Sequence, residues 1–210
     1  MKRGLMHDFT LLAILLIPVG VALNFVSSQV VQLLKLPIHF DVIGTVVVAM
    51  IAGPWVGATT GLATNLITSL TNPTSLFFAP VSISVGLIIG YLSKFGMFKR
   101  LWTTIVSGIV ITVTAVVVGS PISVMVFGGA TGKSIDTVTG VFLASTQDIW
   151  TSVFSSSILI NSVDKILSVL IAYFIVKKMS DRYLSKMNYG DSFIQEKRNK
   201  YVVNKKQIAK

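Results

Sequence analysis

The chain has 210 residues, of which 52% are apolar and only 12% charged, with a mean hydropathy of +0.77. A soluble domain carries about a quarter of its residues charged, so this composition excludes one and indicates an integral membrane protein with room for about six spans. The absence of cysteine excludes disulfides, thiolate metal sites and cysteine nucleophiles, and the net charge of +10 calls for an anionic neighbour at one face.

Residues 1–8 are a short basic start, and residues 9–34 an apolar run containing Pro18, Gly20 and Asn24. This run is too long for the apolar part of a signal peptide and lacks a small-x-small cleavage site, so it reads as a first span kinked at Pro18. A polar loop carrying His39 and Asp41 opens a short second span, 42–52. Gly53 and Pro54 then turn the chain tightly, and a third span, 56–70, returns. A fourth span at 76–93 and a fifth at 102–127 follow, then a glycine- and threonine-rich loop at 128–140. Residues 141–157 are moderately apolar and include Gln147, Asp148 and Trp150, which suits an outer-surface or re-entrant helix. The sixth span is 158–176, and 179–210 form a basic tail.

Charge orients this bundle. With the amino terminus inside, Lys2, Arg3, Lys94, Lys99, Arg100, Lys177, Lys178, Arg182 and Lys186 are all cytoplasmic, whereas the outer loops keep only Lys35 and Lys133. Both termini are then on the cytoplasmic side of the cell (plasma) membrane, and the tail suits anionic lipid headgroups or an inner-face partner better than nucleic acid.

Catalytic and nucleotide motifs are thin. Gly132-Lys133-Ser134 would complete a phosphate-binding loop only with a glycine where Phe127 stands. The two histidines, His7 and His39, fall at opposite faces and make no metal site, and Ser155-Ser156-Ser157 lacks a nucleophile turn. The expectation is a non-enzyme with no metal and no cofactor of its own.

Polar groups inside the spans carry the functional reading. Asn161, Asp164 and Lys165 lie near the outer end of the sixth span, where charge is expensive and faces a cavity or a partner. Asp41, Asn65, Phe77, Phe78 and Ser82 fall at a similar depth, and Gln147, Asp148 and Trp150 approach from the preceding helix. Their convergence predicts an outer-leaflet pocket for a small planar polar molecule. Mutual pairing of Asp164 and Lys165 with other helices is the plainer use of those two. Gly53, Gly57 and Gly61, with Gly86 and Gly90, permit close helix approach, for internal packing or for docking a partner helix.

Several stretches resemble the substrate-binding S components of energy-coupling factor vitamin transporters. They are Leu-Pro-x-x-x-Asp-x-x-Gly-Thr at Leu36 to Thr45, Ala-Gly-Pro-x-x-Gly at Ala52 to Gly57, Gly-Leu-x-Thr-Asn-Leu-Ile in the third span, and Asn-x-x-x-Lys at Asn161 and Lys165. The likeness covers about residues 9–178 and is nearest to the riboflavin-type branch, which includes hydroxymethylpyrimidine and pyridoxine carriers. It implies an all-α, compact six-helix membrane bundle that binds a vitamin in an outer-face pocket and releases it by toppling in the membrane. It also implies a transmembrane coupling (T) protein and two ATPases that use the ATP. By resemblance, His39 and Asp41 lie in a pocket-closing loop and Asn161 and Lys165 contact ligand. Family docking through alanines four apart on the first helix finds only Ala13 and Ala22 here, with Gly53 and Gly57 as further docking candidates.

Two other classes stay open at this stage. One is a stand-alone ion-coupled carrier or channel using Asp164 and Lys165, and the other a lipid-acting membrane enzyme using His39 and Asp41. Among vitamins, pyrimidine and pyridine precursors rank first because aromatic side chains stack small rings, with pantothenate or riboflavin next.

Overall fold

The structure, a computed structural model, describes residues 8–194; His7 and the remainder of the tail lie outside the described residues. Those residues are helical and contain no strand. The helices are α1 (Leu11–Leu33), α2 (Ile43–Ala52), α3 (Pro54–Thr68), α4 (Ala79–Lys94), α5 (Leu101–Phe127), α6 (Ile135–Thr146), α7 (Ile149–Lys178) and α8 (Asp181–Leu184). Single 3-10 turns at Pro73–Phe78 and Met97–Lys99 precede α4 and α5. Four segments are long and apolar enough to cross a membrane: α1, the 3-10 turn continued by α4, α5 and α7.

The short α2 is the centre of the bundle. All ten of its residues are buried, against α1, α3, α4 and α7. Gly53, at φ +106°, turns the chain so that α3 runs back antiparallel, and Pro54 starts the helix where its missing N–H costs nothing. Asn24 of α1 ties this hairpin down. Its amide nitrogen donates to Thr45 Oγ1 (2.8 Å) and Thr64 Oγ1 (2.9 Å), while its oxygen accepts from the Gly44 N–H at 2.6 Å. Gly57 meets Gly86 of α4, Gly61 meets Ser82 and Gly90 meets Pro54, all with no room for a β-carbon. These glycines therefore pack inside the chain.

At the end near the Gly53 turn, the segment from α8 to Ile194 folds over the helices. Leu184, Met187, Tyr189 and Phe193 are buried, the Tyr189 N–H donates to the Ile51 carbonyl (3.2 Å) and its hydroxyl to Asp8 (2.8 Å). Ser93 Oγ donates to the Met50 carbonyl at 2.6 Å, so the terminal carbonyls of α2 find partners. The first part of the expected tail is thus a plug.

Two expectations need correction near the opposite end. The predicted loop at 128–140 is irregular only to Ser134, since α6 begins at Ile135 with Asp136 in its first turn. Residues 141–157 are not one helix: Gln147 at φ +55° ends α6, and the Asp148 carboxylate caps α7 by accepting the Thr151 N–H (2.8 Å). The last long helix accordingly runs 30 residues from Ile149.

Candidate functional site

The loop between α1 and α2 dips alongside α7 and is held there by one buried acid. Asp164, with no exposed surface, accepts the backbone N–H groups of His39 (3.3 Å) and Phe40 (2.8 Å). Phe40 sits at φ +45°, a left-handed conformation that this double hold keeps in place. Lys165 bonds Asp164 at 2.6 Å and reaches Asp41 of the same loop at 3.3 Å. Asp164 lies fifteen residues beyond Ile149, roughly 22 Å along the helix, so the loop starts α2 deep within the bundle and explains why α2 is short.

Beneath this loop is a cavity of about 810 Å³, counting its open mouth, enclosed by the loop, α3, α4, α5, α7 and the 128–134 segment. His39, Asp41, Asn65, Phe78, Ser82, Asn161 and Lys165 line it, which are seven of the twelve residues that the sequence proposed for the ligand. Asn65 Nδ2 donates to Ser82 Oγ (2.6 Å), joining α3 to α4, and Thr112 Oγ1 donates to the Asn161 carbonyl (3.1 Å), joining α5 to α7. The walls are rich in small hydroxyls and amides, and Phe78 is the one aromatic side chain of the carbocyclic kind among them.

The comparison with protein-family models places the chain. The model for the ECF transporter substrate-specific component matches residues 12–176. The chain belongs to this family. No curated protein and no solved structure matches it. Members are transporter subunits, not enzymes, and the family implies a small-molecule substrate together with T-protein and ATPase partners. Among the described residues of this S component, no group of acids and histidines could hold a metal ion.

The other five expected ligand residues stand elsewhere. Asp164 is behind the cavity wall as the anchor of the loop. Phe77 is half exposed and meets Phe127 edge-on at 5.4 Å, whereas Phe78 stacks on Phe127 at 5.9 Å and faces inward. Successive residues of a 3-10 turn point about 120° apart, which separates these neighbours. Gln147 and Asp148 terminate helices, and Trp150 stacks on Phe154 at 6.2 Å, 43% exposed. Of the docking candidates on this S component, Ala13, Gly53 and Gly57 are buried within the subunit, and Ala22 is exposed on α1.

Electrostatics favour a closed loop at neutral pH. Burial would raise the Asp41 carboxyl, but the Lys165 ammonium, with His39 and Lys133, holds it below the usual carboxylate range. Burial pushes the His39 imidazole below its ordinary value and keeps it neutral, against the pull of Asp41 and Asp164. Two features escaped sequence reasoning. Lys133 lines the cavity with its Nζ 4.9 Å from the Phe78 ring centre, brought there by a glycine-rich turn whose shape no periodicity reveals. The hydrogen-bonding role of Asn24 is the other, and its place as the first polar side chain of an apolar helix was the available clue.

Proposed function

We propose that this S component captures a small water-soluble vitamin or vitamin precursor at the outer face of the cell membrane and passes it inward with a transmembrane T protein and two ATP-binding-cassette ATPases. The cavity carries the reading: a space with hydroxyls and amides set in its walls, inside an apolar bundle, roofed by a loop that one buried acid fastens. An apolar bundle has no packing use for such a space, and a polar solute fits it.

Orientation follows from charge. Lys94, Lys99, Arg100, Lys177 and Lys178 lie at helix ends opposite the cavity, which supports a cytoplasmic side there and an outward mouth. Under the six-span reading the α2–α3 hairpin supplies the two crossings beyond the four long segments. His39, Asp41, Asn65, Phe78, Ser82, Asn161 and Lys165 are the proposed ligand contacts, and Asp164 positions the loop. Pyrimidine and pyridine compounds draw support from Phe78 alone, and the hydroxyl-rich walls suit pantothenate as well. The docking surface for the T protein is proposed on the exposed stripe of α1 through Leu15, Pro18, Ala22 and Val26.

Reconstitution tests this. In liposomes containing the T protein and both ATPases, the bound vitamin accumulates only with internal-face ATP and all subunits present. Uptake by this chain alone, following an imposed ion gradient, would replace the reading with a secondary carrier.

A further inference from the structure

We infer that Lys133 is the anion anchor of this cavity, so that the captured molecule carries an acidic group, a carboxylate or phosphate, at its outer end. This rests on the cavity being the vitamin site, and adds the chemical class of the cargo.

The 128–134 turn is built to present this side chain. Gly128, Gly129 and Gly132 take positive φ, and the Asp136 carboxylate accepts from Thr131 Oγ1 (3.0 Å), the Gly132 N–H (2.6 Å) and the Lys133 N–H (3.3 Å). Asp136 is thereby committed to the turn. The two lysines of the cavity differ in the way that matters. Lys165 touches two carboxylates, while among the described residues none comes within 4.0 Å of Lys133 Nζ, which rests on the Phe78 ring. Burial lowers the proton affinity of Lys133, with Lys165 adding to the effect and the more distant Asp41 and Asp136 carboxylates pulling the other way.

Its position is also apt. His39, Asp41, Thr68, Ser75, Lys133 and Ile135 line both the cavity and an adjoining vestibule, so Lys133 stands at the partition where an entering solute passes. Independent of the lysine, the buried hydroxyls of Thr68 and Ser120, both on the cavity wall, have no hydrogen-bond partner among the described residues. Hydroxyls left so can donate to a ligand oxygen, or accept from a ligand donor. Deeper in, Asn65 spends both of its amide N–H groups on Gly61 and Ser82 and Asn161 one of its two on Ser157, so both side chains have a carbonyl oxygen to accept from a ligand and Asn161 keeps one N–H to donate. The arrangement matches a small acid whose other end carries hydroxyl or amine donors.

The test is calorimetric titration of the purified full chain in detergent at pH 7.5 with the water-soluble vitamins, each acid paired with its neutral counterpart. Pairs include pantothenate with pantothenol, nicotinate with nicotinamide, and pyridoxal 5′-phosphate with pyridoxal, which also separates carboxylate from phosphate. The tightest ligand is expected to be an acid, bound on the order of 10- to 100-fold more tightly than its neutral partner, as for a hydrogen bond to a charged group. Lys133→Met brings the acid down to the level of its neutral partner, and Lys133→Arg keeps the preference, with thermal melts confirming that both variants fold. A neutral tightest ligand, or acid binding that survives Lys133→Met, overturns the inference and leaves the vitamin reading standing. Folded protein that binds no vitamin of either kind overturns both.

Discussion

Lys165→Met removes the ammonium 2.6 Å from Asp164 and 3.3 Å from Asp41. Asp164 then retains only the two loop amides while having no exposed surface. At an effective dielectric of about 20, the closer contact represents about 6 kcal/mol of gross attraction, 332 divided by 20 and by 2.6. The retained amide bonds reduce the net loss to about 3–5 kcal/mol, the usual cost of orphaning a buried charge. At about 2–4 °C per kcal/mol for a chain of this size, Tm falls by about 6–20 °C. The double variant Asp164→Asn with Lys165→Met removes both charges and leaves an amide oxygen for the His39 and Phe40 N–H groups, so it recovers at least half of that fall. Tryptophan fluorescence during heating in detergent reads both. A Lys165→Met protein melting with the parent, or a double variant melting below the single, would refute the coupled loop anchor.

Four further outcomes follow from the same structure. Asn24→Ala leaves the Gly44 N–H and two threonine hydroxyls without their partner, and should lower stability by about 2–4 kcal/mol in denaturant titrations. Gly86→Ala puts a β-carbon against the Gly57 backbone at 2.5 Å and should cost about 1–3 kcal/mol or more, whereas Gly140→Ala, in α6 with open space around it, should stabilise slightly in the same melts. Acidification should loosen the α1–α2 loop in two steps. His39 is held below 6.5, so the folded loop binds fewer protons than the unfolded chain and stability drops as pH falls below about that value; Asp41, held below 3.8, adds a second loss further down. Hydrogen exchange of residues 36–42 at pH 7.5 and 5.5 measures the first step, and His39→Gln should abolish it. Ala22→Trp, on the exposed stripe of α1, should cut ATP-driven uptake in the reconstituted system more than tenfold without shifting the melting temperature of the isolated subunit.

Much of this was readable because a membrane amplifies certain residues. Asp164 and Lys165 stand out in an apolar span since charge there must find a partner, and Gly53-Pro54 marks a reversal since few other pairs allow one. Which role a polar residue takes was less readable. Asp164, Gln147 and Asp148 were grouped with ligand contacts by depth and order, yet their hydrogen bonds and backbone angles serve loop and helix ends, because unpaired backbone groups compete for any polar side chain nearby. Small residues were equally ambiguous. Ala13 and Gly57 looked available to a partner helix, and only the three-dimensional arrangement shows them turned inward on α1 and α3. Lys133 remained hidden because its approach to Phe78 is set by three positive-φ glycines and an Asp136 cap, a shape that hydropathy does not encode.

The most direct test of the account is ligand binding to the purified chain without its partners, for the parent and for Asn161→Ala. The account predicts tight, saturable binding of one vitamin or precursor by the parent, weakened on the order of tenfold in Asn161→Ala, which removes an amide from the cavity wall. Folded parent protein that binds none of them would contradict it, and so would a ligand whose affinity is the same in both proteins.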